Sequence, residues 1–187
     1  LRDAGVDFTC TLAGEGELRE SIAGQIKAAG LEDRVRLAGA IPHDALLERL
    51  ERGEFDVSVI ASLEAPGGLM EGVPVALIEA MAAGTVVVAT ASGSIGELVD
   101  ETTGVLVPHS DPPALADALG RAARDPALRE RLRAAARARV EREYDADRTS
   151  AVLRGLIIGV GVNRPGYSGN ESDTCLEGAC GASTHGR

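Results

Sequence analysis

A chain of 187 residues with 44% hydrophobic content has enough apolar material for one domain's core, which excludes a mainly disordered protein. The net charge of −10 argues against a nucleic-acid or anionic-membrane surface as the partner. Cys10, Cys175 and Cys180 make an odd set that suits a reducing cytosol better than a disulfide scaffold, and no membrane-spanning run is present. The opening Leu-Arg-Asp-Ala-Gly reads as the last turn of a helix, so the chain is expected to start inside a domain. Phe8–Leu12 is rich in strand formers and ends in Ala-Gly-Glu-Gly, ahead of a helical pattern over Glu17–Ala29. Val35–Leu37 reads as a short strand closed by Gly39, and Pro42 opens a helix through Leu50. Val57–Ile60 is the third strand, followed by a loop, Glu64–Gly72, and a central helix. Val86–Ala89 is an unbroken apolar run, as expected of a strand buried on both faces. Ser92–Glu97 turns into a short helix and Gly104–Val107 is the fifth strand. Helices follow at Pro112–Ala123 and Pro126–Tyr144, the second with Arg and Glu alternating on its outer face, and at Asp147–Ile158. Strand and helix in alternation predict an α/β, Rossmann-like parallel sheet with flanking helices over 1–158. Residues 159–187, rich in Gly, Ser, Asn and Thr without periodicity, read as a disordered tail.

The stretch Glu71–Gly84, EGVPVALIEAMAAG, organises the rest. Pro74 suits a first helical position, because its fixed φ fits and its missing N–H would have no intrahelical partner there. The helix that follows is apolar all round, which predicts cover on most sides. Glu79 is nevertheless the only charged residue from Gly72 to Gly96. A carboxylate so placed needs hydrogen-bond donors, from elsewhere in the fold or from a ligand. In an open parallel sheet, ligands bind beyond the carboxyl ends of the strands. There the first amides of the helix, those of Val75 and Ala76, together with its dipole, suit a phosphate or diphosphate. Glu79 lies five residues beyond Pro74, about 7–8 Å along the axis, a distance that matches a diphosphate and the ribose of one nucleotide. Its acceptor-only carboxylate can take two bonds from a vicinal diol. Glu71 stands on the other side of the helix start, where it would meet the group on the far phosphate.

This stretch resembles the E-x7-E signature of the retaining glycosyltransferases of family 4, which have the GT-B fold. Ala61-Ser62-Leu63, Glu71-Gly-Val-Pro, Ile78-Glu-Ala-Met-Ala-Ala-Gly and Thr85-Val-Val-Val-Ala-Thr match its surroundings. Ser92–Glu97 resembles the family's Gly-Gly-x-Pro-Glu turn, although Ser94 and Gly96 depart from it. Leu12–Gly16 and Val35–Gly39 resemble the second and third strands of its C-terminal domain. The form MEGVPVALIEAMAAG is similar to enzymes of exopolysaccharide and colanic-acid-type assembly. The resemblance implies that Glu71 is the catalytic-site residue holding donor-sugar hydroxyls near the reacting carbon. It implies donor contacts from Gly72 and Val73 to the sugar, from Val75 and Ala76 (after Pro74) to the diphosphate, and from Glu79 to the ribose. The base would rest at Ala40 and Ile41. The donor would be a nucleotide-diphosphate sugar, transferred with retained configuration and without a metal or other cofactor, in the cytoplasm.

In the family, the first strand of this domain carries an Arg and a Lys for the diphosphate and lies between the second and fourth strands. That strand and the acceptor-binding N-terminal domain would precede Leu1, as would any membrane contact. Phe8–Leu12 and Val57–Ile60 should then flank a gap, and the chain should be a poor catalyst. The alternative is a nucleotide-sugar-binding module without transfer activity or an incomplete gene product, with nucleotide-sugar epimerases as a third class. Blander readings stand beside these. Glu79 could pair with an Arg of another helix, Glu71 could be a solvated loop residue, and His43 reads as a surface residue. Glu97 suits a helix start, and Asp145-Ala-Asp147 suits capping. Cys175, Cys180 and His185 lack the paired spacing of a zinc site.

Overall fold

The computed structural model describes residues 1–63 and 72–157. Over these residues the elements run β1 (Cys10–Ala13), α1 (Arg19–Ala28), β2 (Val35–Gly39), α2 (His43–Glu51), β3 (Val57–Ile60), α3 (Val75–Ala82), β4 (Val86–Ala91), α4 (Ile95–Leu98), β5 (Val105–Pro108), α5 (Pro112–Arg124), α6 (Pro126–Glu143) and α7 (Ala146–Ile157). The strand–helix alternation agrees with the pattern in the sequence, with ends displaced by one or two residues. The chain divides into two compact units, Leu1–Thr149 and Ser150–Arg187. Of the second, residues 150–157 are described, and they lie in α7. The loop from 64, the catalytic-site candidate Glu71 and the tail, with Cys175, Cys180 and His185, lie outside the described residues.

Among the described residues all ladders are parallel, and they form two pieces: β1 pairs with β2, and β3, β4 and β5 pair in that order. Among the described residues no ladder joins β1 to β3, which is where the family resemblance implies a gap. β4 is the centre of the larger piece. Val86, Val87, Val88 and Ala89 are almost wholly buried, Val87 against the α3 and α6 side and Val88 against α5. Burying a valine contributes about 1.5–3 kcal/mol relative to leaving it in water, so this run anchors the domain. β1 and β2 are mostly half-exposed.

Each end of α3 is defined by a specific residue. Pro74 occupies the cap position with φ −67° and ψ 130°, one residue earlier than the sequence suggests, and Val75 is the first helical residue. At the other end Gly84 takes φ +76°. Its N–H donates to Met81 O at 3.1 Å, and that of Thr85 donates to Ala80 O at 2.9 Å. That pair is the Schellman closure, which glycine permits without a Cβ clash. Leu77, Ala80 and Met81 are buried against β4 and α6, but Val75 is 64% exposed. The apolar helix is therefore covered on one side and open at its start, a narrower burial than its composition predicts.

The arginines of α6 do more than coat an outer face. Arg129 donates to Ala122 O and Ala123 O at the end of α5 (2.7 and 2.9 Å). Arg137 donates to Ala82 O at the end of α3 (2.8 Å), and Arg139 to Glu97 O in α4 (2.8 Å). A helix leaves its last carbonyls without intrahelical partners, and guanidinium groups satisfy them and oppose the dipole there. One helix thereby closes three others. Asp125 caps α6 itself through Leu128 N at 2.8 Å, and Asp145 accepts from Arg148 N at 2.8 Å, as capping predicts.

Candidate nucleotide-sugar site

The start of α3 carries no side-chain cap and no acidic residue in its first turn. Pro74 has no N–H, and its carbonyl receives Leu77 N–H at 3.0 Å. The N–H groups of Val75 and Ala76 therefore come before the first intrahelical bond, and both residues are exposed. These are the two amides the sequence assigns to a diphosphate. Gly72 is exposed beside them, and Val73 packs against the core. The segment leaving β3 is tied down from the neighbouring strand, where Thr90 Oγ1 donates to Ser62 O at 2.6 Å. The turn after β4 is anchored by Ile95 and Leu98, both fully buried, despite Ser94 and Gly96. Ser92 precedes that turn, 3% exposed, and its hydroxyl has no hydrogen-bond partner among the described residues.

Glu79 has found its donor inside the fold. His43, the first residue of α2, places Nε2 at 2.6 Å from Glu79 Oε1. Of the open alternatives, a structural partner from another helix is present, but it is an imidazole rather than a guanidinium. His43 is on the surface, as its sequence position suggests, with its side chain 61% exposed, while that of Glu79 is only 19% exposed. The Glu79 hydrogen bond, then the charge of that carboxylate, raises the His43 pKa above its ordinary 6.5, with Asp44 adding to the effect. Asp44 Oδ1 lies 3.7 Å from Nδ1.

His43 also follows closely on the residues that the resemblance assigns to the base. Ala40, exposed, and Ile41, half-buried, lie in the β2–α2 connection just ahead of His43. Two elements far apart in sequence, the start of α2 and the helix α3, thus meet at the His43–Glu79 pair. The sequence reading missed His43 as a member of this group. Its only local signal is the Pro42-His43 step directly after the Gly39–Ile41 turn. Glu71, the remaining member of the pair, lies outside the described residues. Among the described residues no cluster of three or more His, Cys, Asp or Glu side chains is arranged to hold a metal ion. No helix there is long and apolar enough to cross a membrane.

A family model described as glycosyl transferases group 1 matches residues 1–139. Over 146 residues the chain is 38% identical to the amylovoran biosynthesis glycosyltransferase AmsK of Erwinia amylovora, covering 78% of this chain and 35% of that protein. The chain thus spans about a third of that relative's length. The solved structure of HepE from Anabaena in complex with UDP-glucose superposes with a TM-score of 0.69 at 24% identity, over 81% of this chain and 41% of that one. The C-terminal domain of a group 1 glycosyl transferase, LpcC of Francisella tularensis, gives 0.62 at 20% identity, over 78% of this chain and 91% of that one. These structural likenesses show the fold, a parallel sheet with flanking helices as in GT-B glycosyltransferases.

Proposed function

The chain belongs to the group 1 glycosyl transferases, and from that membership we propose that it is the donor-binding part of a retaining enzyme. It would take a nucleotide-diphosphate sugar and pass the sugar to an acceptor in polysaccharide or glycoconjugate synthesis, in the cytoplasm and without a metal. The observation that carries the proposal is the uncapped, exposed start of α3 with Glu79 on the same helix. The name of the relative from Erwinia amylovora supports the polysaccharide class, and the UDP-glucose bound by HepE supports a nucleotide-sugar donor.

In this reading the Val75 and Ala76 amides and the α3 dipole hold the diphosphate as negative charge builds on it during departure. Glu79 accepts from the ribose hydroxyls, Ala40 and Ile41 support the base, and Gly72 and Val73 approach the sugar. Glu71 holds sugar hydroxyls beside the anomeric carbon, whose bond to the diphosphate oxygen breaks as the acceptor oxygen bonds on the same face. The break between β1 and β3 favours a second proposal, that this chain by itself binds donor without efficient transfer.

Calorimetric titration with uridine and guanosine diphosphates tests the reading. Replacing Glu79 by Ala should weaken binding of the preferred diphosphate by ~1.5–3 kcal/mol, the range for hydrogen bonds to charged groups. Unchanged affinity would remove Glu79 from the site. Slow hydrolysis of the bound nucleotide sugar would favour transfer over simple binding.

A further inference from the structure

The His43–Glu79 bond joins two helices through residues 36 apart in sequence, and it is the shortest polar contact that Glu79 makes among the described residues. Glutamate has three side-chain torsions, and holding them in one arrangement before a ligand arrives removes an ordering cost from binding. Its carboxylate has about four lone-pair sites. His43 uses one, on Oε1, and Oε2 has no hydrogen bond among the described residues.

We propose that His43 is a positioning residue: its imidazole fixes the Glu79 carboxylate for the vicinal diol of the donor's ribose, and so makes the site prefer ribonucleotides to 2′-deoxyribonucleotides. The inference rests on the donor-site reading and adds to it the residue that sets sugar selectivity within the nucleotide. Position supports it, since His43 follows the Ala40–Ile41 segment assigned to the base and touches the residue assigned to the ribose. Exposure supports it too, because an imidazole 61% open to solvent contributes little to the core. Among the described residues the charged groups facing the imidazole are Glu79 from α3 and Asp44 from its own helix.

The bond is strongest when the imidazole is protonated, since an ionised donor then meets an ionised acceptor. Because Glu79 raises the His43 pKa, that state persists above pH 6.5 and is lost as pH rises through the raised value. The ribose preference should follow the same course, full on the acid side and reduced on the alkaline side.

The test measures affinity of the 187-residue chain for UDP and for 2′-deoxy-UDP, and for the guanosine pair, from pH 5.5 to 8.5. The ratio within a pair cancels the base and the phosphate's own ionisation. The midpoint of His43 is read in parallel from its imidazole proton resonances. Wild type should show a ribose preference that falls about two- to tenfold as pH rises through that midpoint, the span of one hydrogen bond. In His43→Gln, which retains a neutral donor, the preference should be smaller and independent of pH. In Glu79→Gln it should vanish, with the His43 midpoint moving down. A His43→Gln profile identical to wild type would overturn the inference and leave the donor site standing. A His43 midpoint unmoved in Glu79→Gln would do the same. Failure of all four nucleotides to bind, or binding with no ribose preference in wild type at any pH, would overturn the assignment of Glu79 and this inference together.

Discussion

Asp100 shows how one side chain can fix a connection. It follows α4 and accepts from Thr102 N at 2.8 Å, from the Thr102 hydroxyl at 2.6 Å and from Arg139 Nη1 at 2.6 Å. The Thr102 hydroxyl above all, with the Thr102 amide and the Arg139 guanidinium, holds its carboxyl well below the usual carboxylate range. A depressed native pKa stabilises the fold above the unfolded value, near 4, and that contribution is lost as pH falls through the native value. Asp100→Ala should cost about 1–2 kcal/mol at pH 7, discounted because the side chain is 44% exposed. The difference from wild type in urea unfolding should shrink steadily below about pH 4. An equal difference at pH 7 and pH 3 would contradict the assignment. Nothing in the local sequence marks Asp100 as more than a turn residue, because its strongest cation arrives from α6, 39 residues away. Glu79 is the same case. Its isolation in an apolar stretch showed that a donor was needed, but a 36-residue separation hid which one.

At the scale of elements, periodicity and punctuation carry further. The run Val86–Ala89 announced the buried strand, and the Asp-Pro step at residues 125–126 announced the start of α6, because both signals act within a few residues. The arginines of α6 were legible as charge but not as caps, since their acceptors belong to other helices. Lys27 is the only lysine in the sequence, and the α6 contacts fall to arginine: Nη1 of Arg129 donates to both Ala122 O and Ala123 O. Arg137 likewise serves Glu141 through Nε at 2.8 Å while reaching Ala82 O. Arg137→Lys should therefore destabilise by about 0.5–1 kcal/mol, although charge is conserved. A shift in the midpoint of urea denaturation without a change in slope would report it. No shift would mean that water replaces the guanidinium at the α3 terminus without loss.

For the whole molecule, the division into β1–β2 and β3–β4–β5 sets a gradient of protection. β4 is paired on both sides and buried on both faces, whereas β1 and β2 form a two-stranded piece with much of its surface exposed. Two strands are marginal without further packing. In native-state hydrogen exchange the amides of β4 should be the slowest, and those of β1 and β2 should exchange through a lower-energy opening. Uniform protection across all five strands would show that the two pieces open as one. The parallel α/β class was legible because alternation of strand and helix is a property of the whole string. The location of the break was legible only through the family resemblance, since strand order is not written in any local pattern.

That break also bears on heat and denaturant. Main-chain hydrogen bonding cannot relay order from the β1–β2 ladder to the β3–β4–β5 ladders when no rung joins them among the described residues. A melt followed by a reporter near Cys10 and another near Tyr144 need not trace a single curve, and the spacing between their midpoints would measure how strongly side chains bind the two rafts into one thermodynamic body.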